Sequence, residues 1–220
     1  MTFRALLFDM DGLLLDTERM SLTACQQTLQ EFGVTETMNS LTRYVGRPQR
    51  QVAADVAQRT GAQIDVEAYH DAWLARYETA LRGGIDLRPT VRRSLRHVAE
   101  LGLPCAVVTT TERTRASAKL QSVGLAAHFS TIVGGTCVRD RKPQPAPYLL
   151  AAEKLGVDPA ECAAFEDSDT GVRSAIAAGM TVAQVPDLVQ PPQGRAHIKA
   201  DTLWQGLQML GLAPCDQVLP

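Results

Sequence analysis

Three short apolar runs in this chain stop abruptly at polar clusters. Phe3–Phe8 stops at Asp9-Met10-Asp11-Gly12, Leu103–Val108 at Thr109-Thr110-Thr111, and Cys162–Phe165 at Glu166-Asp167-Ser168. A short apolar run closed by Asp, Gly or Thr reads as a buried strand. Weaker runs of the same kind are Ser130–Val133 and Thr181–Val185. Between the runs, apolar residues recur at helical intervals: Val91, Leu95 and Val98; Leu149, Ala152 and Leu155; Val172 and Ile176. Buried strands that alternate with helices predict an α/β fold, a doubly wound parallel sheet covered on both faces.

One stretch breaks the alternation. From about Asp16 to Gly84 no run reads as a strand. Leu22, Cys25, Leu29 and Phe32 fall on one helical face. Helical patterns follow around Gln49–Thr60 and Val66–Leu81, with Gly33 and Gly61 as expected helix stops and Gly83-Gly84 as a joint. The expected organisation is a core of residues 1–15 and 85–220, Rossmann-like in its layering. A small all-helical cap domain, residues 16–84, is inserted after the first strand. Pro191-Pro192-Gln193-Gly194 reads as a loop, and Asp201 as the cap of a last helix carrying Leu203, Leu207 and Leu210.

Composition narrows the function classes. The 220 residues hold 22 Lys and Arg against 24 Asp and Glu, a net charge of −2. That leaves no basic footprint for nucleic acid and no general attraction to an anionic membrane. No apolar run reaches the roughly 18 residues of a membrane helix, and Met1-Thr2-Phe3-Arg4 lacks the pattern of a signal peptide. The expectation is a cytoplasmic monomer whose partner is a small molecule. The five cysteines, Cys25, Cys105, Cys137, Cys162 and Cys215, are odd in number, and no two are spaced C-x-x-C. They read as reduced, mostly core thiols. His70, His97, His128 and His197 are scattered, so no zinc site is readable.

In open parallel sheets, ligands bind beyond the carboxyl ends of the strands. Asp9 and Asp11, Thr109 and Thr110, and Glu166 and Asp167 fall at those ends, with Lys142-Pro143 in the loop before the Tyr148–Leu155 pattern. Each set has a plain alternative as a turn, a helix cap or a solvated lysine. Together they place four carboxylates, two hydroxyls and one ammonium on one edge. Clustered carboxylates repel unless a cation joins them, and oxygen ligands without His or Cys favour Mg²⁺. A lysine and hydroxyls nearby suit phosphate oxygens. The chain lacks G-x-S-x-G, G-x-x-x-x-G-K-[ST] and G-x-G-x-x-G. The expected nucleophile is therefore a carboxylate that forms an aspartyl-phosphate, with a second carboxylate moving protons.

The segments Phe8-Asp9-Met10-Asp11-Gly12, Val108-Thr109-Thr110, Arg141-Lys142-Pro143 and Phe165-Glu166-Asp167-Ser168, with Gly171 and Ala177-Ala178-Gly179-Met180 beyond, stand in order along the chain. In these the chain resembles the haloacid dehalogenase-like phosphatases, over its whole length. The subgroup it resembles contains β-phosphoglucomutase and the sugar-phosphate and pseudouridine-5′-phosphatases. The resemblance implies Asp9 as nucleophile and Mg²⁺ ligand. It implies Asp11 as acid and base, with its main-chain carbonyl on the metal. Thr109, the Thr110 backbone and Lys142 would hold the phosphoryl group. Asp167 would be a metal ligand, with Glu166 binding directly or through water. Asp169 is left as a turn or supporting residue. The helical insert looks like the family's small cap, and Arg47, between Gly46 and Pro48, is the expected substrate contact in it.

The expected activity is a Mg²⁺-dependent phosphatase of small phosphorylated metabolites, sugar phosphates or nucleotide-like phosphomonoesters. The alternative is a β-phosphoglucomutase-type phosphotransferase. The mutases carry a His in the first cap helix, and the matching region, Glu18-Arg19-Met20-Ser21-Leu22, has none. A signalling receiver domain also combines acidic residues, a hydroxyl and a lysine. Its acceptor Asp follows a middle strand, however, whereas here the mid-chain strand ends in Thr109. A catalytically dead binding module would be expected to have lost a site position, and none is lost.

Overall fold

The computed structural model describes residues 2–189 and 194–215. Of the loop expected at Pro191-Pro192-Gln193-Gly194, only Gly194 lies among them. The chain divides into two compact units, residues 1–15 with 87–220, and residues 16–86. The first unit opens with strand β1 (Ala5–Phe8). The second holds helices α1 (Thr17–Glu31), α2 (Met38–Leu41), α3 (Gln49–Thr60) and α4 (Val66–Arg82). The first unit then resumes with α5 (Val91–Glu100), β2 (Cys105–Val108), α6 (Arg113–Ser122), β3 (Thr131–Val133), α7 (Ala146–Leu155) and β4 (Cys162–Glu166). It closes with α8 (Asp169–Ala177), β5 (Thr181–Gln184), β6 (Ile198–Lys199) and α9 (Leu203–Met209).

The six strands form one parallel sheet in the order β3-β2-β1-β4-β5-β6. In the register of the central strands, Leu7 faces Ala106 on one side and Ala164 on the other, and Phe8 faces Val107 and Phe165. The strands step outward from β1 to β3, and the chain then returns to the far side of β1 for β4. The order reverses between β1 and β4, which is where ligands bind in doubly wound sheets.

Alternation along each strand sends its side chains to two cores. On one face Ala5, Leu7, Ala106, Val108 and Ala164 pack under Tyr148 and Ala151 of α7 and Val172 and Ala175 of α8. On the other the Phe8 and Phe165 rings stack with centroids 5.1 Å apart. There α9 comes so close that a Cβ on Gly206 would stand 3.3 Å from the Phe165 ring. Each large apolar side chain buried this way contributes roughly 1.5–3 kcal/mol before entropy is counted.

The helical unit has its own core. Leu22, Cys25 and Leu29 of α1 are buried, as is Tyr69 of α4. The Tyr69 hydroxyl lies 3.2 Å from Cys25 Sγ and 3.1 Å from Gln49 Oε1 of α3. Gly61, at φ +74°, closes α3 in the left-handed conformation, and the Asp65 side chain caps α4 by accepting from the Glu67 and Ala68 amides.

Three elements depart from the sequence reading. Helix α6 carries no clear apolar stripe, because its inward face is Ala116, Lys119 and Leu120. Strand β6 spans two residues, too few for a period to show. The last helix is capped by Thr202 rather than Asp201: the Thr202 hydroxyl, one residue nearer the helix, accepts from the Gln205 amide. Among the described residues no helix is long and apolar enough to cross a membrane.

Candidate active site

Asp9 follows β1, its amide donating to the Phe165 carbonyl at 3.0 Å, so the two central strands fix its backbone. Its carboxylate is almost wholly buried. The Lys142 ammonium donates to Asp9 Oδ1 at 2.6 Å, to Glu166 Oε1 at 2.5 Å and to the Val108 carbonyl at 2.8 Å. These three partners use all three donors of an ammonium. The Tyr148 hydroxyl adds a second hydrogen bond to Glu166 Oε1, at 2.5 Å. Glu166 is fully buried, and the first turn of α8 lies directly over it: a Cβ on Gly171 would stand 2.0 Å from its carboxylate atoms.

Burial pushes the Asp9 carboxyl up. Lys142 pulls it back and Glu166 pushes it further, leaving it at about 8. Burial alone would lower the Lys142 ammonium, but the charges of Asp9 and Glu166 outweigh it and hold it above its ordinary value. Burial, then Glu166, raises the Tyr148 phenol well above its usual range, so Tyr148 stays a donor.

Asp11 sits in the turn after β1, where Gly12 takes φ +87° and its amide donates to the Leu15 carbonyl. Its carboxylate is held at both oxygens. The Lys119 ammonium donates to Oδ1 at 2.8 Å and the Thr111 hydroxyl to Oδ2 at 2.7 Å, with the Thr109 hydroxyl 3.5 Å from Oδ2. Thr109 is buried, and its hydroxyl accepts from the Thr111 amide at 3.1 Å. The Thr110 side chain is exposed. This loop is shaped from outside by Gly135, where a Cβ would stand 2.3 Å from the Thr110 carbonyl oxygen.

Carboxylate oxygens of Asp9, Glu166 and Asp167 all lie within 4.8 Å of one another. The donors are oxygen only, which fits a hard cation such as Mg²⁺. Charge balance points the same way. When ionised, Asp9, Asp11, Glu166 and Asp167 bring four negative charges, and Lys119 and Lys142 offset two. The Asp11 carboxylate is not part of the oxygen group; Lys119 and Thr111 hold it.

The structure thus brings together Asp9, Asp11, Thr109, Lys142, Glu166 and Asp167. Arg47 belongs to the helical unit, where it lines a cavity of about 310 Å³ with Ser21, Tyr44, Gln49, His70 and Trp73. Its guanidinium carbon lies 5.9 Å from the centroid of the Tyr44 ring. Sequence reasoning missed Thr111, Lys119 and Tyr148. Thr111 stands in a hydroxyl run whose third member had no separate signal. Lys119 and Tyr148 come from helices, where spacing alone does not say which way a polar side chain turns. Asp169, the first residue of α8, pairs with Arg195 at 3.6 Å.

Comparison with known proteins agrees with this geometry. The sequence profile of the haloacid dehalogenase-like hydrolases matches residues 6–185. The fructose-1-phosphate phosphatase of Escherichia coli is 32% identical over 186 residues, covering 83% of this chain and 96% of that one. A phosphorylated carbohydrates phosphatase of Thermotoga maritima is 30% identical over 176 residues, covering 80% and 82%. A haloacid dehalogenase family hydrolase from Deinococcus radiodurans, solved with bound phosphate and sodium, superposes with a TM-score of 0.85 at 28% identity, covering 97% and 99%. The chain belongs to the haloacid dehalogenase-like hydrolase family, and within it to the phosphatases.

Proposed function

We propose that this chain is a Mg²⁺-dependent phosphatase of small phosphorylated metabolites, sugar phosphates or nucleotide-like phosphomonoesters, working through an aspartyl-phosphate on Asp9. The observation that carries the reading is the Asp9 carboxylate at the switch point of the sheet, tied to Lys142 and within 4.8 Å of Asp167 and Glu166. The related phosphatases from Escherichia coli and Thermotoga maritima support the substrate class.

Asp9 attacks phosphorus while the bond to the ester oxygen breaks. Asp11 gives a proton to the leaving oxygen, then takes one from the water that releases phosphate. The Thr109 hydroxyl, with the Thr110 backbone, holds phosphoryl oxygens in line, and Lys142 joins them by exchanging one of its three present hydrogen bonds for a phosphoryl oxygen. Asp9 and Asp167, with the Asp11 carbonyl, would hold the cation. Glu166, committed to Lys142 and Tyr148 through Oε1, would support it directly or through water. A bound Mg²⁺ supplies charge to neutralise the phosphoryl oxygens and to keep Asp9 ionised. In the helical unit, Arg47 reads an anionic part of the substrate from the cavity it lines. A net charge of −2 and five unbridged cysteines fit a reducing, cytoplasmic setting, and the chain is proposed to act there as a monomer on a small-molecule partner.

The test is phosphate release from a panel of sugar phosphates, nucleotides and phosphoglycolate, with Mg²⁺ and with EDTA. Asp9→Asn is expected to remove turnover while the fold survives. Phosphate-monoester hydrolysis has the slowest uncatalysed reference known, so little background should remain. Ser21 lines the helical-unit cavity in the helix where the mutases place a His. Incubation with β-glucose 1-phosphate and a trace of the 1,6-bisphosphate should therefore give free phosphate. Rapid isomerisation with negligible phosphate release would make the chain a mutase instead.

A further inference from the structure

Lys119 is a buried lysine on the inner face of α6, between Ala116 and Leu120, which are both fully buried. Lysines are almost never found in such positions unless paired. Ordering the side chain costs up to about 2 kcal/mol of rotamer freedom, and a buried pair often adds nothing over apolar residues of the same size. Fold stability therefore does not account for a lysine here. Its ammonium reaches Asp11 Oδ1 at 2.8 Å, while Thr111 takes Oδ2 at 2.7 Å. Lys119 and Thr111 come from the loop and helix after β2, about a hundred positions from Asp11, so the fold and not local sequence sets the clamp.

We propose that Lys119, with Thr111, is a positioning residue that holds Asp11 to take the proton from the attacking water. The Lys119 ammonium can only donate, and the Thr111 hydroxyl donates to the other oxygen, so the clamp fits Asp11 as a proton acceptor and fixes the plane of its carboxylate. The acceptor step is the second one. The water oxygen bonds to phosphorus, the bond between phosphorus and the Asp9 oxygen breaks, and the water proton passes to Asp11. This rests on the phosphatase reading above.

p-Nitrophenyl phosphate separates the two steps, because nitrophenolate leaves without a proton. Transfer to Asp9 then needs no acid from Asp11, and only release of phosphate needs the clamp. For Lys119→Met with Mg²⁺ present, kcat is expected to fall at least about tenfold, less than the roughly 10²–10⁴-fold of general base catalysis because the base itself remains. KM should fall by the same factor, leaving kcat/KM within about twofold, because that ratio reports only the steps up to transfer. A burst of p-nitrophenol equal to the enzyme concentration should precede the slow phase. Lys119→Arg should recover part of kcat. Thr111→Val, which leaves the buried lysine in place, should show the same signature if Lys119→Met does not fold. A kcat/KM that falls along with kcat, or an unchanged kcat in folded Lys119→Met, would overturn the proposal alone. Absence of turnover by the unaltered enzyme, or full turnover by Asp9→Asn, would overturn the phosphatase reading and the proposal with it.

Discussion

Lys142 donates to Asp9 at 2.6 Å across 133 positions of sequence, and the same ammonium holds Glu166 at 2.5 Å. One cation thus serves two buried carboxylates. Replacing it leaves both without their shared partner, and breaking a buried pair by removing one member costs about 3–5 kcal/mol. Lys142→Met should lose stability of that order in urea unfolding and should lose turnover at least a hundredfold. A variant as stable as the parent would mean that the two carboxylates are not held by this ammonium.

Much of the site lay open in the sequence. Asp9, Asp11, Thr109 and Asp167 follow strands and Glu166 ends one, and a parallel strand announces itself as an apolar run with a polar stop. Strand ends converge in this architecture, so reading the stops read most of the site. Lys142 was legible through its Pro neighbour and its place before α7. Lys119 was not, because it looks like one of several charged residues on a polar helix; only packing against β3 and its neighbours shows that its face is inward. Tyr148 opens a helical pattern in the sequence, and its hydroxyl has no sequence signature. Strand β6, with Ile198 and Lys199 alone, depends on a neighbouring strand's hydrogen bonds rather than on any pattern of its own.

Gly171 tests how tightly Glu166 is enclosed. Alanine within a helix normally gains up to about 1 kcal/mol over glycine. Here the added methyl would stand 2.0 Å from the Glu166 carboxylate, so either α8 or the carboxylate must move. Overpacking costs typically 1–3 kcal/mol, which outweighs the propensity gain. Gly171→Ala should therefore be destabilised by about 2 kcal/mol and lose most of its turnover. Gly194→Ala, with nothing within 4 Å of the added carbon, should change neither. A stabilised Gly171→Ala would show that Glu166 does not sit beneath α8.

Buried thiols set an alkaline limit on stability. Burial pushes Cys105 up to about 12 and Cys162 up to about 11, where unfolded cysteines ionise near roughly 8.5. A raised folded value means that the contribution is fully present below the unfolded value and is lost as pH rises through the window up to the folded one. From about pH 9 to pH 11 the unfolded chain gives up thiol protons that the native chain keeps, so unfolding is increasingly favoured. For Cys105 the slope approaches about 1.4 kcal/mol per pH unit. Urea unfolding free energies should fall steadily between pH 8.5 and pH 10.5, and Cys105→Ala should flatten that fall. An equal slope in the variant would assign the alkaline loss to other groups.

Metal dependence can be measured without turnover. Asp9 and Asp167 stand 158 positions apart (167 − 9 = 158), and folding brings their oxygens within 4.8 Å. A cation held by both binds the native state and not the unfolded chain, so it must raise the melting temperature. At a concentration a hundred times its Kd the gain is about 2.7 kcal/mol, which in a chain of this size corresponds to roughly 5–10 °C. Asp167→Asn should lose most of that shift while keeping its fold, since the amide offers one neutral oxygen where the carboxylate offered charge. Ca²⁺ should also raise the melting temperature, because its larger and looser coordination tolerates the site, yet support little turnover. EDTA should remove turnover and the thermal shift together. A melting temperature that ignores Mg²⁺, alongside full activity in excess EDTA, would remove the cation from the site and leave Lys142 as the charge that steadies Asp9.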